Sequence, residues 1–67
     1  MNIGANVRRI RKSKGIFIKD LSAKSGVSLT SIHYIESGVN SPTVKTLEKL
    51  AAAMGVTVGE LLEQKAG

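Results

Sequence analysis

Residues 26–38, GVSLTSIHYIESG, decide how this chain folds. Two glycines bracket a segment in which Ile32 and Ile35 stand at the spacing of neighbours on one helix face. At about 100° per residue, a wheel that buries Ser28, Ile32 and Ile35 turns Thr30, His33, Tyr34 and Ser37 outward and leaves Leu29 and Glu36 on one flank. Few of those outward residues are ones a surface helix needs merely to stay soluble. The segment predicts a short helix, about residues 28–37, with one side for the core and the other free for contact.

The same punctuation organises the rest of the chain. Gly15, Gly26, Gly38 and Gly55 each follow apolar residues at helical spacing, where a residue of positive φ ends a helix at little steric cost. Ile3, Val7 and Ile10 define a first helix, Leu21 beside the small Ser22 a second, Ile32 and Ile35 the third, and Leu47, Leu50, Ala51 and Met54 a fourth. Val58, Leu61 and Leu62 add a fifth. Ser28 precedes the third helix, Pro42-Thr43 the fourth, and Thr57-Val58-Gly59-Glu60 reads as a capping box opening the fifth. Only the second helix lacks a polar cap: Phe17 or Ile18 stands there, so that helix frays unless Phe17 staples it to its neighbours. With no strand-like alternation, repeat or linker, the pattern predicts an all-α fold, a compact bundle of five short helices, in one domain spanning residues 1–67.

Composition narrows the functions open to such a bundle. A chain of 67 residues buries only roughly 60% of the surface its unfolded form exposes. The absence of Cys and the single His exclude a disulfide framework and every Cys-based zinc site, and fit a reducing cytoplasm. No apolar run approaches the roughly 18 residues of a membrane span, and the basic start leads into no signal-peptide apolar region. The mature protein is expected to be the whole, soluble, cytoplasmic chain. His33 has no Cys, second His or carboxylate four residues away, and neither a Gly-rich phosphate loop nor a serine-nucleophile pattern occurs. Enzyme activity, metal and cofactor are not expected.

Charge is concentrated at one end. Arg8, Arg9, Arg11, Lys12, Lys14, Lys19 and Lys24 stand against Asp20 alone in the first part of the chain, while the rest is close to neutral, for a formal net charge of +5. Such a basic half is the electrostatic footprint of a polyanion binder, with nucleic acid the commonest partner and an anionic membrane surface the next. The membrane reading is the poorer one, because Ile3, Val7 and Ile10 are claimed by the core and no Trp or Phe accompanies them. The two helices joined by Gly26-Val27-Ser28 complete the argument. They should cross steeply, with Ser22 and Gly26 giving the room, in the helix-turn-helix arrangement whose second helix enters the DNA major groove.

The run IKDLSAKSGVSLTSIHYIESGVNSPTVKTLEKLAAAMGVTVGELL resembles the helix-turn-helix domain of the phage-repressor, Cro and Xre family of transcriptional regulators. Its marks are RRIRKSKG before the motif, DLSAKSGVS across the turn, IESG closing the second helix of the pair, and SPTVKTLEKLAAAMGVTVGELL after it. The resemblance covers nearly the whole chain. It implies a lambda-repressor-like five-helix bundle that binds double-stranded operator DNA, usually as a homodimer, and acts as a repressor.

On that reading Leu29, Thr30, His33 and Tyr34 face bases or phosphates, and Lys19, Lys24, Ser28, Ser37, Asn40 and Thr43 are candidates for phosphate contacts. The family commonly has Gln where this chain has Ile18, so that polar contact is lost, and with Leu29 nearby a preference for thymine methyls is expected. The resemblance also supports an ion pair from Arg11 to Glu36, tying the first helix to the end of the third. Val56, Val58, Leu61 and Leu62 exceed what a short terminal helix needs and are candidates for a two-fold interface, although all could equally be core. A different reading, a protein-interaction module such as an antitoxin or adaptor, would use the face from Leu29 to Tyr34 against a partner protein.

Overall fold

The computed structural model describes residues 3–63. Five helices follow one another: α1 (Ile3–Ser13), α2 (Ile18–Ser25), α3 (Leu29–Ser37), α4 (Val44–Met54) and α5 (Val58–Leu62), with no strand among the described residues. Each contributes to one core. Val7 and Ile10 come from α1, Leu21 from α2, Ile32 and Ile35 from α3, Leu47, Leu50, Ala51 and Met54 from α4, and Leu61 from α5. Helix α1 lies across α3, α4 and α5, while α2 packs on α3 and α4. The hairpin of α2 and α3 is thus held from behind by both longer helices. None of the described helices is long and apolar enough to cross a membrane.

Helix ends follow from local chemistry. Ser28, Thr43 and Thr57 each accept a hydrogen bond from the backbone N–H three residues on, which satisfies a donor the first helical turn leaves free. Gly38 closes α3 at φ 82°, its N–H donating to Ile35 O at 3.1 Å while Val39 N–H reaches Tyr34 O at 2.9 Å. Helix α2 starts at Phe17 with no side-chain cap. The apolar position before the cap is filled by Ile16, packed on the core cluster to which Leu21 also belongs. Ile16 rather than Phe17 therefore occupies the staple position, and Phe17 is left 70% exposed.

Three sequence expectations change. Ser28 is exposed rather than on the buried side, because as a cap its backbone is extended (φ −61°, ψ 149°) and the helical wheel does not apply to it. Leu61 is fully buried, so it is not available to a two-fold interface: α5 spans only Val58–Leu62 and packs on α1 and α4, and Leu61 is its one buried residue. Lastly, the room for close helix packing is not at Gly26, where an added Cβ would meet nothing within 4 Å. Gly26 serves the turn through its φ of 76°, and Ser22 Oγ donates to Val27 O at 2.7 Å to tie that turn down.

Candidate nucleic-acid interface

Burial of Ile32 and Ile35 fixes the rotation of α3, and that rotation decides what its other side presents. Leu29 and Tyr34 are 42% and 46% exposed, and Thr30, His33 and Ser37 are exposed with them. Among the described residues no hydrogen bond or ion pair engages the side chains of Thr30, His33 or Tyr34. A solvent-facing strip of one hydroxyl, one imidazole and one phenol is thereby left with its polar groups unspent. Ile18, half-buried at the start of α2, joins His33, Ser37, Arg8, Arg11 and Glu36 around a shallow groove where α1, α2 and α3 meet.

The hydroxyls proposed for phosphate contact are partly committed. Ser28 Oγ accepts from Ser31 N–H at 3.1 Å and donates to Ser31 Oγ at 2.8 Å, and Ser37 Oγ donates to Tyr34 O at 3.0 Å. A phosphate oxygen only accepts, so either serine must turn its hydrogen outward to meet one. Ser31 keeps its own hydroxyl hydrogen and lines a second groove with Asn40, Ser41, Thr43 and Thr46. Thr43 Oγ1 accepts from Thr46 N–H at 3.1 Å and shares a hydrogen with Thr46 Oγ1 at 3.0 Å. Lys19 and Lys24 are exposed on α2 and Asn40 in the loop after α3.

Arg11 and Glu36 meet in a two-pronged contact. Arg11 Nε donates to Glu36 Oε2 at 2.8 Å and Nη2 to Oε1 at 3.0 Å, and Nη1 donates to Ile16 O at 2.9 Å. The side chains are only 12% and 8% exposed, so the apolar stem of Arg11 packs while its head is spent on α3 and on the turn before α2. Hydrogen bonding to Glu36 raises the Arg11 pKa above its ordinary value, against the desolvation that burial brings. The pair is neutral as a unit. The cationic face of α1 therefore rests on exposed Arg8, Arg9 and Lys12.

Two residues were not singled out from the sequence. Asn6 Nδ2 donates to Leu61 O and to Glu63 O, both at 2.8 Å, and so fastens α1 to the end of α5. Gly4 is buried within α1 against the backbone of α3. Its signal was a glycine inside a helix, where it costs about 1 kcal/mol relative to Ala. Of the interface candidates, Val56 and Val58 are half-buried against the core and Leu62 is 36% exposed. Among the described residues no three His, Asp or Glu side chains gather to hold a metal ion.

Comparison with known proteins gives the arrangement its relatives. The helix-turn-helix family model matches residues 7–61. An HTH-type transcriptional regulator of Sinorhizobium fredii, y4dJ, is 40% identical over 60 residues, covering 90% of this chain and 78% of that protein. SinR of Bacillus subtilis is 34% identical over 64 residues, and the chain spans 58% of its length. The crystal structure of SinR, the master regulator for biofilm formation, in complex with DNA superposes with a TM-score of 0.86 at 34% identity, covering 91% of this chain and 98% of that one. The restriction-modification controller protein C.AhdI from Aeromonas hydrophila superposes with a TM-score of 0.86 at 27% identity, covering 90% and 91%.

Proposed function

The chain belongs to the helix-turn-helix family of DNA-binding transcriptional regulators, and from that premise we propose that it is a sequence-specific cytoplasmic repressor that binds duplex DNA as a homodimer, with α3 in the major groove. One observation carries the reading: α3 is fixed by Ile32 and Ile35 while Leu29, Thr30, His33 and Tyr34 stand exposed and unengaged beside the basic faces of α1 and α2. Thr30, His33 and Tyr34 supply polar contacts to base edges or phosphates, and Leu29 an apolar contact to a thymine methyl. Arg8, Arg9, Lys12, Lys19 and Lys24 supply attraction that carries no sequence information. Two copies would place their α3 helices about one turn of DNA apart, with Val56, Val58 and Leu62 available to the contact between them.

Selection of duplexes from a random pool tests this, followed by the affinity of the winner and of a scrambled duplex at several salt concentrations. An inverted repeat bound at least about a thousandfold tighter than the scramble is expected. The salt slope should steepen by about 0.9 for each phosphate neutralised. A pool that stays random, with both duplexes bound alike, would reject the reading and turn attention to the exposed Leu29 and Tyr34 as a docking face for a partner protein.

A further inference from the structure

Among the glycines of the described helices, Gly4 is the one crowded by a neighbouring backbone, and that crowding lies behind α3, not on the face proposed to meet DNA. Gly4, in the first turn of α1, sits so near the last turn of α3 that an added Cβ would collide with the carbonyl oxygen of Ile35 and lie 3.1 Å from Ile35 C and 3.3 Å from Glu36 C. All three atoms are backbone, so no change of rotamer makes room; α1 or α3 has to move. The carbonyl in question already accepts the Gly38 N–H that closes α3. Two turns further along α1, Arg11 grips the Glu36 carboxylate of the same α3 turn. Gly59, the glycine inside α5, shows that such crowding is no general feature of these helices, since its added Cβ would meet only Thr57 Oγ1 at 3.7 Å.

We infer that Gly4 is a positioning residue for α3: the missing side chain lets α1 set the depth and tilt at which α3 presents Leu29, Thr30 and Tyr34. The inference rests on the reading of α3 as the helix that contacts bases. A nine-residue helix is about 13 Å long, so a displacement at Ile35 carries through to its outer residues as a rigid-body shift. Contacts of this kind tolerate misplacement of only about 0.5 Å. Non-specific attraction, which comes from exposed Lys and Arg, has no such tolerance to lose.

The test compares the wild-type chain, Gly4→Ala and Gly59→Ala for affinity toward the selected duplex and its scramble, at a temperature where circular dichroism shows each protein folded. Gly4→Ala is expected to lose about tenfold on the selected duplex, the size of one lost base contact, and to stay within about twofold on the scramble, since no charge changes. Its amide resonances should shift mainly over residues 29–37, and Gly59→Ala should keep both affinities. If Gly4→Ala folds only with added sucrose, which favours the compact state, the same affinities are read there. A Gly4→Ala protein that is folded and equally selective, or unfolded even in sucrose, overturns the inference and leaves Gly4 a purely structural residue. A wild type that does not distinguish the two duplexes overturns the DNA reading itself, and this inference with it.

Discussion

The two helices of the hairpin are held in different ways. Both end on a left-handed glycine, but only α3 has a hydroxyl cap at its start, two buried isoleucines and the Arg11 contact to Glu36 from behind. Helix α2 has no side-chain cap, and Leu21 is its single buried residue. Its place depends on the staple position of Ile16 and on the turn that Ser22 ties to Val27. Constraint is concentrated away from the surface that contacts a partner. The helix whose outer face must stay free for a ligand is fixed by its inner face and its ends, so its exposed residues contribute little to the fold and are open to choice by function.

That contrast can be broken most severely from inside α3. Ile32→Ala is expected to cost about 2–5 kcal/mol, lost transfer energy plus the cavity left behind. Against a total stability of about 5–15 kcal/mol for a folded domain, this leaves a marginal protein. Urea denaturation measures it, and a loss below about 1 kcal/mol would mean that α3 is not anchored by its core face.

Removing the support behind α3 should have the next largest effect. Glu36→Ala strands the Arg11 head, still hydrogen-bonded to Ile16 O but without its carboxylate. The expected cost is about 1–3 kcal/mol, below that of a fully buried pair because both partners keep some contact with water. An unchanged melting temperature would show the pair to be ornamental. The pH dependence has a definite sign. Because the Arg11 pKa is raised in the folded state, its stabilisation is fully present below the ordinary arginine range and is lost only as pH rises through the folded value. Across neutral pH, the arginine's share of the difference between wild type and Glu36→Ala should therefore stay flat.

How much of this was legible in the sequence follows the range of the interactions. The five helices, their glycine stops and the caps at Ser28, Thr43 and Thr57 rest on residues within a few positions of one another, so periodicity and cap chemistry suffice. The outward set on α3 follows from Ile32 and Ile35 alone. What sequence spacing could not reach depends on segments far apart in the chain: Gly4 against Ile35, Asn6 against Leu61, and the full burial of Leu61. Whether an apolar residue in a short terminal helix faces core or partner depends on the space α1 and α4 leave, and no local pattern records that space. The commitment of the Ser28 and Ser37 hydrogens to neighbours three residues away was local, yet a list of residue types treats a hydroxyl as free until its partners are known.

A cap introduced at the start of α2 should have a smaller effect, and it tests whether that helix is weak there for want of one. The Phe17 backbone, at φ −75° and ψ 151°, already has the extended geometry of the caps Ser28 (−61°, 149°) and Thr43 (−75°, 164°). Phe17→Ser should therefore offer its Oγ, without any backbone change, to the Asp20 N–H that now donates to Phe17 O at 3.0 Å, as Thr57 Oγ1 accepts at 3.2 Å from a Glu60 N–H that also reaches Thr57 O. A cap of this kind contributes about 1 kcal/mol. The phenyl ring, 70% exposed, offsets part of that gain through the little apolar area it now buries, so a net stabilisation of a few tenths of a kcal/mol up to about 1 is expected. Thermal unfolding together with amide exchange at Lys19 and Asp20 would show it, with protection rising at the start of α2. If Phe17→Ser instead lowers stability, the ring does staple α2 to its neighbours, and the apparent weakness of α2 is made good by apolar contact rather than left open.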